Sequence, residues 1–145
     1  MTVVAVIGKG EDTVERIAHA LAPTYWTIKS QVPIQKLISD EEFQVIADKK
    51  HKVDFAVWKY VNMEEQWIGV IRVQGYDHTS GKKGHQHERK SKKDVIQKAL
   101  LQSQGLWIVD ILFNECPNIF KERYNCDAII EFCEMFKLAK VSLTD

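Results

Sequence analysis

The chain contains few of the features that assign a protein to a class at once. Three of its 145 residues are cysteines, Cys116, Cys126 and Cys133, and they form no CxxC pair. An odd number of widely spaced cysteines indicates reduced, intracellular thiols that mostly contribute to packing. No run approaches the ~20 apolar residues of a membrane span. The short apolar start, residues 3–7, has neither a basic segment nor a cleavage pattern beside it, so we predict no secretion signal and expect a cytoplasmic protein outside the membrane.

Net charge is absent as well. Twenty Lys and Arg balance twenty Asp and Glu, so the overall charge indicates no particular partner. The distribution is nevertheless uneven, because seven basic residues between Lys82 and Lys98 stand against two acids, Glu88 and Asp94. A local basic patch of this kind fits a phosphate-binding surface, although its commoner meaning is a solvated loop and helix face.

Two glycine motifs of nucleotide-binding proteins are incomplete. The stretch from Val3 to Gly10 resembles the opening of a dinucleotide-binding unit, but Thr13 stands where the third glycine belongs. No second strand with a terminal acid follows at the required distance. The chain also has no GxxxxGK[ST] loop. Both classes of nucleotide-binding protein are therefore disfavoured.

The hydrophobic residues that are present predict a folded core. A hydrophobic fraction of 45% over 145 residues suits one domain spanning residues 1–145. Apolar periodicity predicts helices at about 12–21, 90–104 and 126–138, strands at 43–47, 53–58, 67–73 and 106–111, an extended stretch at 25–28 and a helical turn at 36–38. Pro23 and Gly105 mark the ends of the first two helices. Val95, Ala99 and Ile130 are among the residues expected to face the core. This order predicts an α/β protein with a mixed central β-sheet flanked by helices.

One acid lies just inside a predicted apolar strand. Asp54 follows Val53, and the next apolar strand ends near Gln74, four residues before His78. An acid and polar groups that project from adjacent strands are what a nuclease needs to hold a divalent metal against a phosphodiester. The alternative is an ordinary solvated acid at a strand end.

Several of these residues occur in one ordered succession. It comprises Asp54-Phe55, then Arg72-Val73-Gln74-Gly75 with His78, then Asp94-x-x-Gln97-Lys98-x-x-Leu101-x-x-x-Gly105, then Val109-x-Ile111. The succession resembles the PD-(D/E)XK nuclease-like superfamily over about residues 12–113, and most closely its very-short-patch-repair and EDxHD endonuclease branch. The resemblance implies a restriction-endonuclease-like fold and a metal-dependent DNA endonuclease.

The resemblance also implies a role for each matching residue. Asp54 would be the main ligand of Mg²⁺ or Mn²⁺, and Glu15 on the first helix would assist it. Gln74 occupies the last position of the strand motif, and His78 would be the general base. The DNA phosphates would be contacted by Arg72, Lys82, Lys83, Arg89, Lys90, Lys93 and Lys98. The plain alternatives are a surface helix residue for Glu15 and a loop residue for His78.

Arg72 departs from the family pattern. Most members place a Glu there as a direct metal ligand, and an arginine puts a fixed positive charge beside the expected metal. The branch resembled here uses a backbone carbonyl of the next residue instead, which is Val73 in this chain. The alternative function is therefore a catalytically inactive nuclease-fold module, phage or mobile-element encoded, that binds nucleic acid or inhibits or recruits a protein. A symmetric cutter of duplex DNA would have to form a homodimer.

Overall fold

The computed structural model describes residues 9–47, 50–74, 85–121, 123 and 125–144, with the backbone alone at 9 and 85–91. In chain order the elements are α1 (Lys9–Leu21), β1 (Thr27–Pro33), a 3₁₀ helix (Ile34–Leu37), α2 (Glu41–Ile46), β2 (Lys52–Val61), β3 (Glu64–Gln74), α3 (His85–Ser103), β4 (Trp107–Leu112) and α4 (Cys126–Leu138). Apart from the strand predicted at 43–47, each predicted element overlaps an observed one. The largest differences are at α3, which begins at His85 rather than about 90, and at β1, which ends at Pro33 rather than 28, whereas the bounds of α4 agree at both ends. The Asn125 side chain caps α4 by accepting a hydrogen bond from the Ala128 backbone N–H at 3.0 Å.

The four strands form one mixed sheet in the order β1-β2-β3-β4. The β1–β2 and β2–β3 pairs are antiparallel, whereas β3 and β4 are parallel. Parallel neighbours need a crossover, and α3 supplies it between β3 and β4. The predicted α/β class with a mixed sheet and flanking helices is confirmed.

Each face of the sheet buries its own hydrophobic cluster. Towards α1 and α4, Phe55 and Ile71 of the sheet pack with Ile17 and Phe132 of the helices. Towards α3 and the 3₁₀ helix, Val70 packs in a cluster with Ile34, Leu101 and Leu106. Two buried faces explain why the central strands have near-continuous apolar sequences.

The strand predicted at 43–47 is wrong. Residues Glu41–Ile46 form the helix α2, and the Asp40 side chain caps it by accepting hydrogen bonds from the backbone N–H groups of Glu42 and Phe43, at 2.9 and 3.3 Å. The apolar spacing was misleading because Val45 and Ile46 are exposed. The strand beside β2 is instead Thr27–Pro33, whose mostly exposed residues give an edge strand little apolar alternation to detect.

Three residues predicted to face the core do not. Val95 and Ala99 of α3 are exposed, and so is Ile130 of α4. Among the described side chains of α3, the buried ones are Gln97, Leu100 and Leu101, and both leucines pack in the cluster that contains Val70. Among the described residues, no helix combines the length and apolar character needed to cross a membrane.

Candidate functional site

The two central strands separate at the position of Asp54. Pairing between β2 and β3 extends as far as Phe55 and Ile71. Beyond that point β2 stays beside β1 as far as Lys52, and β3 stays beside β4 as far as Gln74. At this fork the Asp54 carboxylate, through Oδ2, accepts a hydrogen bond from the Val73 backbone N–H at 2.7 Å. The Val73 N–H is thus satisfied by a side-chain oxygen instead of a backbone carbonyl of β2, at the point where β2 and β3 separate.

The backbone around Asp54 is irregular on its other side too. In the β1–β2 register, Ser30 pairs with Phe55 and Val32 with Val53, so Gln31 lies opposite Asp54. Gln31 has a φ of 53°, a left-handed conformation that a non-glycine residue adopts at a free-energy cost of about 1 kcal/mol. The ladders to both neighbouring strands are therefore interrupted at Asp54.

The irregularity changes which face of the sheet each residue meets. Residues two apart on a regular strand share a face. Val53 packs in the cluster under α3, whereas Phe55 packs in the cluster under α1 and α4. The strand therefore switches faces across Asp54, which frees this carboxylate to meet the first turn of α1.

The acid that α1 brings to Asp54 is Glu11. Burial raises the pKa of Glu11 to about 7, and the hydrogen bond to Asp54 and the repulsion from its charge act in the same direction. Glu15, the predicted helix acid, lies one turn further along and is exposed. The structure therefore brings together Glu11 and Asp54, and no described contact joins Glu15 to them.

Glu11 was missed as a candidate because it lies before the predicted start of the helix. The helix begins at Lys9, three residues before the predicted start at Asp12. Glu11 and Glu15 are four residues apart and so lie on one side of the helix. An earlier helix start would have made both acids candidates.

The carboxyl pair opens into a cavity of about 230 Å³ between the diverging strands. Gln74 lines this cavity with Glu11 and Asp54, so two of the residues predicted to share a site, Asp54 and Gln74, do so. The cavity is also lined by His51, Lys52, Val53, Arg72, Val73 and Asp94. The described residues contain no group of three or more His, Cys, Asp or Glu side chains placed to hold a metal ion. Of the three acids in the lining, Asp94 is paired with Arg72, and Glu11 and Asp54 form a carboxyl pair.

Arg72 is buried within an ion cluster. Its Nε donates to Asp110 Oδ1 at 2.6 Å and its Nη1 to Asp94 Oδ1 at 2.7 Å, while Lys98 Nζ donates to Asp110 Oδ2 at 2.9 Å. Burial opposes the charge of Arg72, but Asp110 and Asp94 raise its pKa. Burial likewise opposes the charge of Asp110, and Arg72 and Lys98 together lower its pKa. The guanidinium is thus committed to two carboxylates, and this geometry offers no support for its predicted contact with a phosphate.

The other predicted phosphate contacts are distributed unevenly. Lys93 is exposed on α3, and Lys98 is partly exposed beside Asp110. Arg89 and Lys90 lie within α3, but their side chains are outside the described part of the structure. His78, Lys82 and Lys83 lie outside the described residues altogether. The basic patch therefore stays a prediction.

Comparison with protein-family models, with curated proteins and with solved structures finds no significant match to this chain. The functional inference consequently depends on the chemistry of the fork and on the arrangement of the strands that create it.

Proposed function

We propose that this protein is a metal-dependent endonuclease that hydrolyses DNA phosphodiester bonds, with Glu11 and Asp54 as the ligands of Mg²⁺ or Mn²⁺. The observation that carries the proposal is the Glu11–Asp54 carboxyl pair at the open fork between β2 and β3. Burial raises the pKa of Glu11, and the hydrogen bond to the adjacent Asp54 carboxyl and the repulsion from its charge add to the rise. A divalent cation relieves that repulsion, and carboxylate oxygens are the donors that Mg²⁺ prefers.

The architecture supports the same proposal. A helix, three antiparallel strands, a crossover helix and a parallel fourth strand agree with the fold that the PD-(D/E)XK resemblance implies. Asp54 and Gln74 lie on the two strands where the resemblance expects polar site residues. A restriction-endonuclease-like fold is therefore part of the proposal.

Each residue of the fork has a definable task. The metal ion, when bound, would polarise a phosphoryl oxygen and lower the pKa of its water. The Val73 backbone N–H fixes Asp54 through Oδ2. The Glu11 carboxyl has a pKa of about 7 in the metal-free protein, so a metal ion would compete with its proton near neutral pH. The Gln74 amide lines the same cavity and is able to donate to a phosphate oxygen. His78 is proposed as the general base on the resemblance alone.

The test is a calorimetric titration with Mg²⁺ and Mn²⁺, paired with a plasmid-nicking assay on the same samples. Asp54→Asn and Glu11→Gln should each weaken metal binding by at least about 10-fold and abolish nicking. Glu15→Gln is the matched control, because it removes an exposed acid one turn along the same helix. Unchanged metal affinity in Asp54→Asn, or an equal loss in Glu15→Gln, contradicts the proposed site.

The second candidate is a nuclease-fold module without catalysis. It is favoured by Arg72, which stands at the usual Glu position and is locked to Asp110 and Asp94. Such a module would bind DNA or a protein partner, alone or as a homodimer, and show neither metal binding nor nicking. Salt dependence separates its two partners, because affinity for DNA falls steeply as salt rises.

A further inference from the structure

A second hollow adjoins the fork on the α3 side of the sheet. It has a volume of about 370 Å³ and is formed by the ends of β3 and β4 and by one side of α3. We call it the α3 hollow. Arg72, Gln74 and Asp94 line both the α3 hollow and the carboxylate cavity. The two spaces are therefore neighbours that share these three residues, and the carboxylate cavity has Glu11 and Asp54 in its lining.

The walls of the α3 hollow combine apolar surface and two amides with the four charged side chains of the ion cluster. Val95 and Ala99 are exposed and lie one turn apart on α3, and Leu112 adds apolar surface from β4. Gln74 and Gln102 contribute side-chain amides, each of which both donates and accepts hydrogen bonds. A nucleobase has matching chemistry, since its faces stack on apolar surface and its edge carries donors and acceptors.

Lys98 places a positive charge at the wall of the same hollow. Its side chain is 40% exposed and pairs with Asp110, which also accepts from the buried Arg72. If the Lys98 ammonium moves away from Asp110, that carboxylate still has Arg72 as a partner at 2.6 Å. A partly exposed lysine–carboxylate pair contributes little stability, so Lys98 is able to exchange Asp110 for a phosphate at a small free-energy cost.

We infer that the α3 hollow holds the base of the nucleotide beside the phosphodiester cleaved at Glu11 and Asp54, with Lys98 turned to a flanking phosphate, an inference that rests on the proposed function. A base enters such a hollow only after it has left its stack in the duplex. The preferred substrate is therefore single-stranded or locally unpaired DNA.

The test measures fluorescence anisotropy of a short labelled single-stranded oligodeoxynucleotide in EDTA, so that metal binding plays no part. Ala99→Trp fills the hollow and should weaken binding at least about 10-fold. Ala20→Trp is the matched control, since it adds the same ring at an exposed position about 13 Å along α1 from Glu11. It should bind within about 2-fold of the wild type. A duplex of the same sequence should compete at least about 10-fold less well than the single strand.

Wild-type affinity in Ala99→Trp, or equal competition by the duplex, overturns the inference. Circular dichroism melting checks that each variant folds. If Ala99→Trp does not fold, Gln102→Glu carries the test, because a carboxylate at this exposed position should repel the strand and weaken binding by a similar factor.

Metal calorimetry on the same variants separates this inference from the proposed function. Ala99→Trp should keep the wild-type Mg²⁺ affinity, because Ala99 does not line the carboxylate cavity. If the wild-type protein binds Mg²⁺ but no oligonucleotide, the inference that the α3 hollow binds a base is wrong, and the proposed metal site is still supported. If oligonucleotide binding depends on Ala99 but no metal binds, the result supports base binding in the α3 hollow and contradicts the proposed metal-dependent nuclease.

Discussion

Two groups of charged side chains at neighbouring positions in the sheet have opposite electrostatics. At the fork, Glu11 and Asp54 bring two acids together, and the pKa of Glu11 rises to about 7. On the α3 side, Asp110 lies between Arg72 and Lys98, and its pKa is lowered. Both acids lose solvent on folding, so burial alone does not explain the difference. The charge of the nearest partner decides it.

The comparison indicates which group is a structural element and which is available for chemistry. The ion cluster of Arg72, Asp110, Asp94 and Lys98 contains two positive and two negative charges and is internally satisfied. The carboxyl pair places two acids side by side at an open cavity, and the pKa of Glu11 is raised there. A carboxyl with a perturbed pKa in a cavity, such as Glu11, is a candidate for function, whereas a neutralised cluster is the expected form of a buried charge group.

The largest change in the free energy of unfolding should come from removing Arg72, the buried cation of the ion cluster. Arg72→Met leaves Asp110 and Asp94 without their shared partner and should lower the free energy of unfolding by about 3–5 kcal/mol. Lys98→Met, which removes the more exposed cation from the same Asp110, should change it by about 1 kcal/mol or less. Urea denaturation at neutral pH measures both. Equal effects of the two substitutions contradict a buried, structural Arg72.

Neutralising Asp110, the acid that both Arg72 and Lys98 contact, should have the next largest effect on stability. Asp110→Asn should lower the free energy of unfolding by about 2 kcal/mol at neutral pH, because two charge-assisted hydrogen bonds are weakened. A lowered folded-state pKa stabilises the protein above the ordinary Asp pKa of about 3.9, and the benefit is lost as the pH falls through the lower value. The difference between variant and wild type should therefore shrink in strong acid. A difference that does not depend on pH contradicts the assignment.

The carboxyl pair should give stability the opposite dependence on pH. The folded-state pKa of Glu11 is raised, so between pH 4.5 and about 7 the folded protein keeps a proton that the unfolded chain loses. Wild-type stability should therefore fall as the pH rises through this window. Glu11→Gln should be more stable than wild type by about 1 kcal/mol at alkaline pH, since solvent screens part of the repulsion, and equally stable in acid.

Divalent metal sharpens the test of Glu11. Added Mg²⁺ should stabilise the wild type at alkaline pH and leave Glu11→Gln nearly unchanged, because a ligand stabilises the state that binds it. Thermal melts across pH, with and without Mg²⁺, measure both effects. A wild-type stability that does not change between pH 4.5 and about 7 contradicts the carboxyl pair.

The smallest effect concerns the backbone opposite Asp54. Gln31→Gly should raise the free energy of unfolding by up to about 1 kcal/mol, since glycine adopts the left-handed conformation of this position without steric penalty. Ser30→Gly is the matched control on the regular part of β1 and should be destabilising by about 0.5–1 kcal/mol. Chemical denaturation compares them. Destabilisation by Gln31→Gly equal to that of Ser30→Gly contradicts strain at the fork.

Local patterns predicted more of the fold than of the site. The bounds of α4 were predictable because Asn125 and the apolar spacing after it are neighbours in sequence. Asp54 was predictable as a candidate because it interrupts an apolar strand, and Gln74 because it matches the last position of the strand motif that the resemblance implies. Two predictions were wrong where the periodic signal was weak. Glu15 was predicted in place of Glu11 because the helix boundary was placed too late, and residues 43–47 were predicted as the strand in place of β1 because β1 is an exposed edge strand.

The sequence by itself determined the α/β class, the central strands and the presence of an acid at the start of β2, because these follow from hydrophobic periodicity over adjacent residues. The tertiary structure alone decided that Glu11 meets Asp54 and that Arg72 pairs with Asp110. Those partners are 43 and 38 residues apart, as 54 minus 11 and 110 minus 72. Their contact depends on strand register, on the fork between β2 and β3 and on the way α1 and α3 pack against the sheet.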